Sequence, residues 1–281
     1  MTADAAPGAG PAPSPGPEPG PGPESRAASA SVVVKLGGET LADQHDTLRG
    51  VAALAPRHRA LVVHGGGKRL SAWLDRLGIE SSWEAGRRVT DDAALEVAVA
   101  VLRGLVNAEL VAALARLGVR AVGLSGVDAG LLVAERVPGL GRVARVTGAR
   151  LEVLDQLLAA GLVPVVAPLA LDSDGAICNV NADEVAAGLA AAMRARLLLL
   201  SDTDGVLDAA GRPIRRLDRA RAEALIADGT IEGGMIPKVR GALAVAEAGA
   251  PEVVIADGRS PDAVARALAD ETVGTRVVAG P

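Results

Sequence analysis

The residues of this chain best suited to chemistry are three lysines, several glycine turns and one Asn-x-Asn-x-Asp string. Of 29 basic residues only Lys35, Lys68 and Lys238 are lysine, the rest being arginine. A lysine kept in so arginine-rich a chain marks a position suited to a compact ammonium on a flexible stem rather than a planar fork. Lys35 opens the string Lys35-Leu36-Gly37-Gly38, and His64-Gly65-Gly66-Gly67 follows about thirty residues on. Glycines let a backbone approach a ligand closely, and N–H groups at a helix start hold anionic oxygens. Gly233-Gly234-Met235-Ile236-Pro237-Lys238 repeats the pattern near the other end, bringing a second cation. Between them, Asn179-Val180-Asn181-Ala182-Asp183 aligns three polar side chains if extended, or forms a polar turn capping a helix.

Other templates fail. Ser201-Asp202-Thr203-Asp204-Gly205-Val206 contains D-x-D-G, but the twelfth position of a calcium loop counted from Asp202 is Pro213 rather than Glu. Lys68 is followed by Arg69, so Gly65–Arg69 is no Walker A loop, and neither H-E-x-x-H nor G-x-S-x-G occurs. The sole cysteine, Cys178, excludes an intrachain disulfide and a cluster of thiolates. A net charge of -5 provides no basic stripe for nucleic acid and no cationic face for a membrane, so a small-molecule substrate is expected.

The elements that must position these residues are short β-branched runs at 31–36, 59–63, 121–124, 163–167, 197–200 and 251–255, mostly separated by Ala/Leu-rich stretches of helical length. That order predicts an α/β fold with a mostly parallel central sheet, helices on both faces and ligands at the carboxyl ends of the strands. Helices are expected around 71–77, from Val239 to Ala248, and over 91–117, where Thr90 is the predicted N-cap. Glu96, Arg103 and Asn107 form one narrow polar line on the last of these, and the rest of its surface is apolar enough to suit a homodimer contact. Prolines at 7, 11, 13, 15, 17, 19, 21 and 23 preclude helix and ladder in a tail over 1–30, which is read as disordered. No signal-peptide pattern and no uninterrupted apolar run of ~20 residues is visible, so a cytoplasmic location is expected.

Taken in order, K-L-G-G, H-G-G-G, Gly86-Arg87-Arg88-Val89-Thr90-Asp91, N-V-N-A-D, S-D-T-D-G and Gly234-Met235-Ile236-Pro237-Lys238 resemble the motif series of the N-acetylglutamate kinases, a branch of the amino-acid-kinase type, over about residues 31–281. The resemblance implies an open αβα sandwich with a substrate lobe over 31–170 and an ATP lobe over 171–281. It implies catalytic roles for Lys35, Lys238, Asp183 and Gly38, and phosphate contacts from Gly37, Gly38, Gly65 and Gly66. Substrate contacts fall to Gly66, Gly67, Arg88 and Asn179. Nucleotide contacts fall to Ser201, Asp202, Thr203, Gly205, Val206, Leu207, Met235 and Lys238. Trp83 suits either a pocket wall or the core.

The implied reaction passes a phosphoryl group from ATP to the side-chain carboxylate of N-acetyl-L-glutamate, a step of arginine biosynthesis. Magnesium would be held mainly by the nucleotide, with no metal site on the protein itself. A carboxylate nucleophile with pKa near ~4.3 is already ionised, so no general base is needed. Rival readings are a kinase for a carrier-protein-linked glutamate or aminoadipate, and a non-catalytic sensor of the same fold. Arginine-inhibited relatives use an N-terminal helix to join dimers into a hexamer; the proline-rich tail cannot form one, so an arginine-insensitive dimer is expected.

Overall fold

The structure, a computed structural model, describes residues 30–37, 45–84, 86–259, 262–269 and 272–280. The expected tail, apart from residue 30, and Gly38 lie outside these residues.

In chain order the elements are β1 (Ser31–Leu36), α1 (His45–Leu54), β2 (Arg59–His64), α2 (Gly67–Arg76), β3 (Trp83–Glu84), β4 (Arg87–Arg88), α3 (Asp92–Arg116), β5 (Ala121–Ser125), β6 (Leu132–Arg136), β7 (Val143–Ala149), α4 (Glu152–Ala159), β8 (Val163–Ala167), β9 (Leu169–Leu171), β10 (Ile177–Val180), α5 (Ala182–Met193), β11 (Arg196–Ser201), β12 (Arg216–Leu217), α6 (Arg219–Ala227), α7 (Met235–Glu247), β13 (Val253–Asp257), α8 (Ala263–Ala269) and β14 (Thr275–Val277). Eight strands form one sheet in the order β12-β14-β13-β11-β1-β2-β8-β5. Its pairings are parallel except β13 with β14.

Alternate strand residues enter two separate cores. Val33, Leu61, Val63, Leu197 and Leu199 pack with α4, α5, α6 and α7. Val32, Val34, Val62, Leu198 and Leu200 pack with α1, α2, α3 and α8. Burial of both faces is why these strands read as continuous apolar runs rather than alternating ones. Four short strands close on one another as β10-β7-β6-β9, and β7 packs on α5. The expected lobe boundary at 170/171 falls within β9, and β10 pairs with β7 and β9.

Three local expectations are corrected. The N-cap of α3 is Asp91, whose carboxylate accepts the Ala94 amide at 2.8 Å, because Thr90 bridges to Gly141 instead. Helix α7 begins at Met235, not Val239, with Pro237 in the first turn, where its missing N–H costs nothing. The polar line on α3 does not hold: Glu96 is exposed while Asn107 is buried, since Val99–Val106 is wound as a π-helix and breaks the 3.6-residue period. With mean hydropathy 1.8 over its most apolar stretch, α3 is long and apolar enough to cross a membrane by length and composition alone; 44% of that stretch is buried in the fold, its inner face being Val101, Leu102, Leu110 and Leu114.

Candidate active site

Parallel strands deliver their carboxyl ends to one edge, and the adjacent strands β1 and β2 are each followed there by glycine. At the end of β1, a Cβ on Gly37 would lie 2.1 Å from the Leu200 carbonyl oxygen of β11, so the close approach of the two strand ends requires glycine. At the end of β2, Gly66 is the N-cap of α2 with φ 146°, a conformation L side chains rarely adopt. A Cβ there would also meet Leu102 of α3 at 2.7 Å.

A cavity of about 210 Å³ opens beside these turns. Its polar lining comes from Lys35, Arg88, Asn179 and Asp183, beside the glycines at 65, 66 and 67, and its apolar walls include Leu70 and Trp83. The N-termini of α2 and α5 both face it, through Gly67 and Ala182. Two positive helix ends with Lys35, Arg87 and Arg88 against the single carboxylate of Asp183 make a basin for anions.

The chain builds the cationic end from separate elements. Lys35, on β1, places its ammonium 2.9 Å from Asp183 Oδ1 in the first turn of α5, with both side chains largely buried. That contact is an ion pair outside hydrogen-bond geometry, so Oδ1 remains a buried acceptor with no hydrogen bond. Asn181 caps α5, its Oδ1 accepting the Asp183 amide at 2.7 Å, which fixes the aspartate at the helix start. The string 179–183 is therefore part strand and part cap: of its three polar residues only Asn179 lies on a strand, donating to Thr90 Oγ1 at 3.2 Å.

Lys238, on α7, does not line the cavity and lies beyond ion-pair distance of Asp183, but senses it. Burial holds its ammonium below the usual lysine range; Asp183 and Asp202 oppose the shift and the positive charge of Lys35 adds to it. Two lysine ammoniums converge on the shared carboxylate of Asp183, with Asp202 near Lys238, and offer the paired positive charge that a site for a phosphoryl group requires.

At the opposite end Arg88 is 5% exposed. Its guanidinium donates to Ser81 Oγ, to Ser71 Oγ at 2.5 Å and to the Gly67 carbonyl at 3.3 Å, and stacks 4.4 Å from the centre of the Trp83 ring. Trp83 is 58% exposed and lines the cavity, so it is a wall rather than core. Burial lowers the Arg88 pKa and the nearby Asp75 opposes this. Arg87 bonds Glu184 of α5, tying the β3–β4 hairpin across the mouth.

The remaining predicted residues form a second group. Ser201 ends β11 with its hydroxyl 3.2 Å from Thr203 Oγ1. Gly205 has φ 93° and packs against Thr275, whose hydroxyl accepts the Val206 amide at 2.8 Å; the Val206 side chain is buried in the core, while Leu207 is partly exposed. None of these, nor Met235, lines the cavity; Asp202 connects the group to it by facing Lys238. Sequence reasoning passed over Ser71, Ser81, Leu70 and Glu184, which carry no motif and reach the site only through the fold.

Residues 30–257 match the profile of the Amino acid kinase family. The acetylglutamate kinase of Rubrobacter xylanophilus is 47% identical over 249 residues, covering 88% of this chain and 96% of that protein. That of Sphingopyxis alaskensis is 44% identical, covering 85% of each. Among solved structures, N-acetylglutamate synthase from Neisseria gonorrhoeae superposes with a TM-score of 0.78 at 21% identity, over 92% of this chain and 61% of that one, a likeness of fold alone.

Proposed function

The chain belongs to the amino acid kinase family, and from that premise we propose that it is an acetylglutamate kinase, transferring the γ-phosphoryl group of ATP to the side-chain carboxylate of N-acetyl-L-glutamate. The observation that carries the reading is the Lys35–Asp183 pair at one end of a cavity whose other end is formed by Arg88.

Arg88 and Asn179, with the Gly66 and Gly67 amides, grip the α-carboxylate, leaving the side-chain carboxylate directed toward Lys35. The amides of Gly37, Gly65 and Gly66 receive phosphate oxygens, and Gly38, next in sequence after Gly37, takes the same role. Lys35 and Lys238 neutralise charge on the transferring group from two sides, while Asp183 keeps them oriented. Because phosphoryl transfer is governed by alignment and charge stabilisation, no side chain has to exchange a proton with the nucleophile. The segment 201–207 with Met235 and Lys238 holds the nucleotide, making 31–170 the substrate lobe and 171–281 the nucleotide lobe. ATP supplies the phosphoryl group, with magnesium on its own oxygens lowering their charge.

We assign the exposed side of α3, where Ala100, Gly104 and Ala108 leave small residues uncovered beside the exposed Leu105, to a homodimer contact. Sedimentation as a monomer at micromolar concentration would remove that assignment. The catalytic reading is tested by assaying ADP release with N-acetylglutamate, N-acetylaminoadipate and free glutamate: turnover selective for N-acetylglutamate is expected, and none with any of the three overturns it.

A further inference from the structure

His64 is fully buried where β2 ends, one residue before the glycine turn that lines the cavity, and no step of the proposed reaction uses it. Its two ring nitrogens have unlike partners. Nδ1 lies 2.6 Å from the Gly65 carbonyl oxygen, and Nε2 lies 3.1 Å from the Asn107 side-chain nitrogen. The orientation of that amide follows from its surroundings: Asn107 Nδ2 also donates to the carbonyls of Val165 at 2.8 Å and Leu124 at 3.3 Å, while Oδ1 faces the Arg103 guanidinium at 3.5 Å. The amide nitrogen has two hydrogens and no acceptor lone pair, so an Nε2–H would face it unsatisfied, whereas the Gly65 carbonyl can only accept; the proton therefore sits on Nδ1, donating to Gly65, and Nε2 is left as the acceptor side facing Asn107. Burial holds the ring neutral, with its pKa lowered from 6.5 to about 4; the Gly65 carbonyl opposes this and the charge of Arg103 contributes to it. Arg103 is itself 3.5 Å from Asp128.

The peptide between Gly65 and Gly66 is trans, so its carbonyl and its N–H point in opposite directions. With the carbonyl drawn onto His64, the Gly66 N–H turns away from the imidazole. The π-helical segment of α3 fits this arrangement. The Asn107 amide bonds the Leu102 carbonyl five residues back, and the same segment seats Leu102 and Val106 against Gly66 while delivering Asn107 to His64. Gly123 on β5 makes room: a Cβ there would lie 2.0 Å from Asn107 Oδ1.

We propose that Asn107 and His64 are positioning residues for phosphoryl transfer: Asn107 selects the Nδ1–H tautomer of His64, which holds the Gly65 carbonyl inward and so aims the Gly66 N–H into the cavity as a donor to phosphate oxygens. This rests on the kinase reading for its assay, though its structural half does not. Because the donor acts mostly on charge that develops during transfer, its loss lowers kcat by a larger factor than it raises KM for N-acetylglutamate.

The test uses the full chain. His64→Asn puts an amide nitrogen at the Nδ1 position and His64→Gln puts one at the Nε2 position. His64→Gln is expected to lose about 100-fold in kcat, the lower end of what removal of one such donor costs. His64→Asn, which can still donate to Gly65, is expected to keep most of the wild-type kcat. Equal kcat in the two variants, or losses expressed mainly in KM, overturns the proposal. Nitrogen-15 NMR of the wild-type imidazole, which needs neither variants nor substrate, should show a neutral His64 protonated at Nδ1 at pH 7. An Nε2–H tautomer or an imidazolium refutes it. Wild-type protein silent with ATP and N-acetylglutamate would remove the kinase reading, and the NMR result alone would then decide whether the tautomer assignment stands.

Discussion

Acidification should unfold this protein partly through one histidine, and the size of the effect follows from where His64 sits. An imidazole with no exposed surface, hydrogen-bonded at both nitrogens in the neutral form, resists protonation until about pH 4, whereas in the unfolded chain it protonates at its ordinary 6.5. Between those values the unfolded state binds more protons than the folded one, so stability rises with pH. His64 costs nothing above pH 6.5, and its penalty grows as pH falls, reaching about 3 kcal/mol at pH 4. His64→Asn removes this titration while leaving every carboxylate in place. Urea unfolding of both proteins at fixed concentration, from pH 7.5 to pH 4, reads the difference. The variant should be the less stable at neutral pH, because Asn107 loses an acceptor, and the gap should close or reverse by about 3 kcal/mol at pH 4. Two stability curves that run parallel throughout would refute the reasoning.

Lys35→Arg and Lys238→Arg should each fold with an unchanged circular dichroism spectrum yet lose about 100-fold or more in kcat, because a planar fork cannot stand in for a compact ammonium; wild-type turnover in either would remove its role. Since Lys238 must be charged to act and burial lowers its pKa, kcat in the wild type should fall with rising pH earlier than a free lysine near ~10.4 would dictate, which a pH–rate profile checks. Gly37→Ala should destabilise by about 1–3 kcal/mol in urea, since the clash is with backbone of β11 that cannot rotate away. Arg88→Lys should raise KM for N-acetylglutamate about tenfold or more with a smaller change in kcat, because one ammonium cannot bond Ser71, Ser81 and Gly67 and stack on Trp83 together.

The sheet was legible because burial on both faces writes each strand as a β-branched run; β1 and β8 keep the predicted bounds, and the others shift by one or two residues. The small closed sheet was not legible, since β9 and β10 have three and four residues and carry too little pattern to separate from loop. The same limit hid Ser71 and Ser81, whose only distinction is that folding brings them to Arg88.

The lysines and the glycine turns were determined by the sequence, because residue type and position at a strand end are local properties. That Lys35 meets Asp183 while Lys238 stands farther off was decided by tertiary structure, since the three belong to β1, α5 and α7 and no spacing along the chain encodes their distance. The clearest case is Asn107. As a sequence residue it completes a polar line on a helix, but a π-turn changes the period and moves it from that line onto His64, and only the packed fold shows which face it occupies.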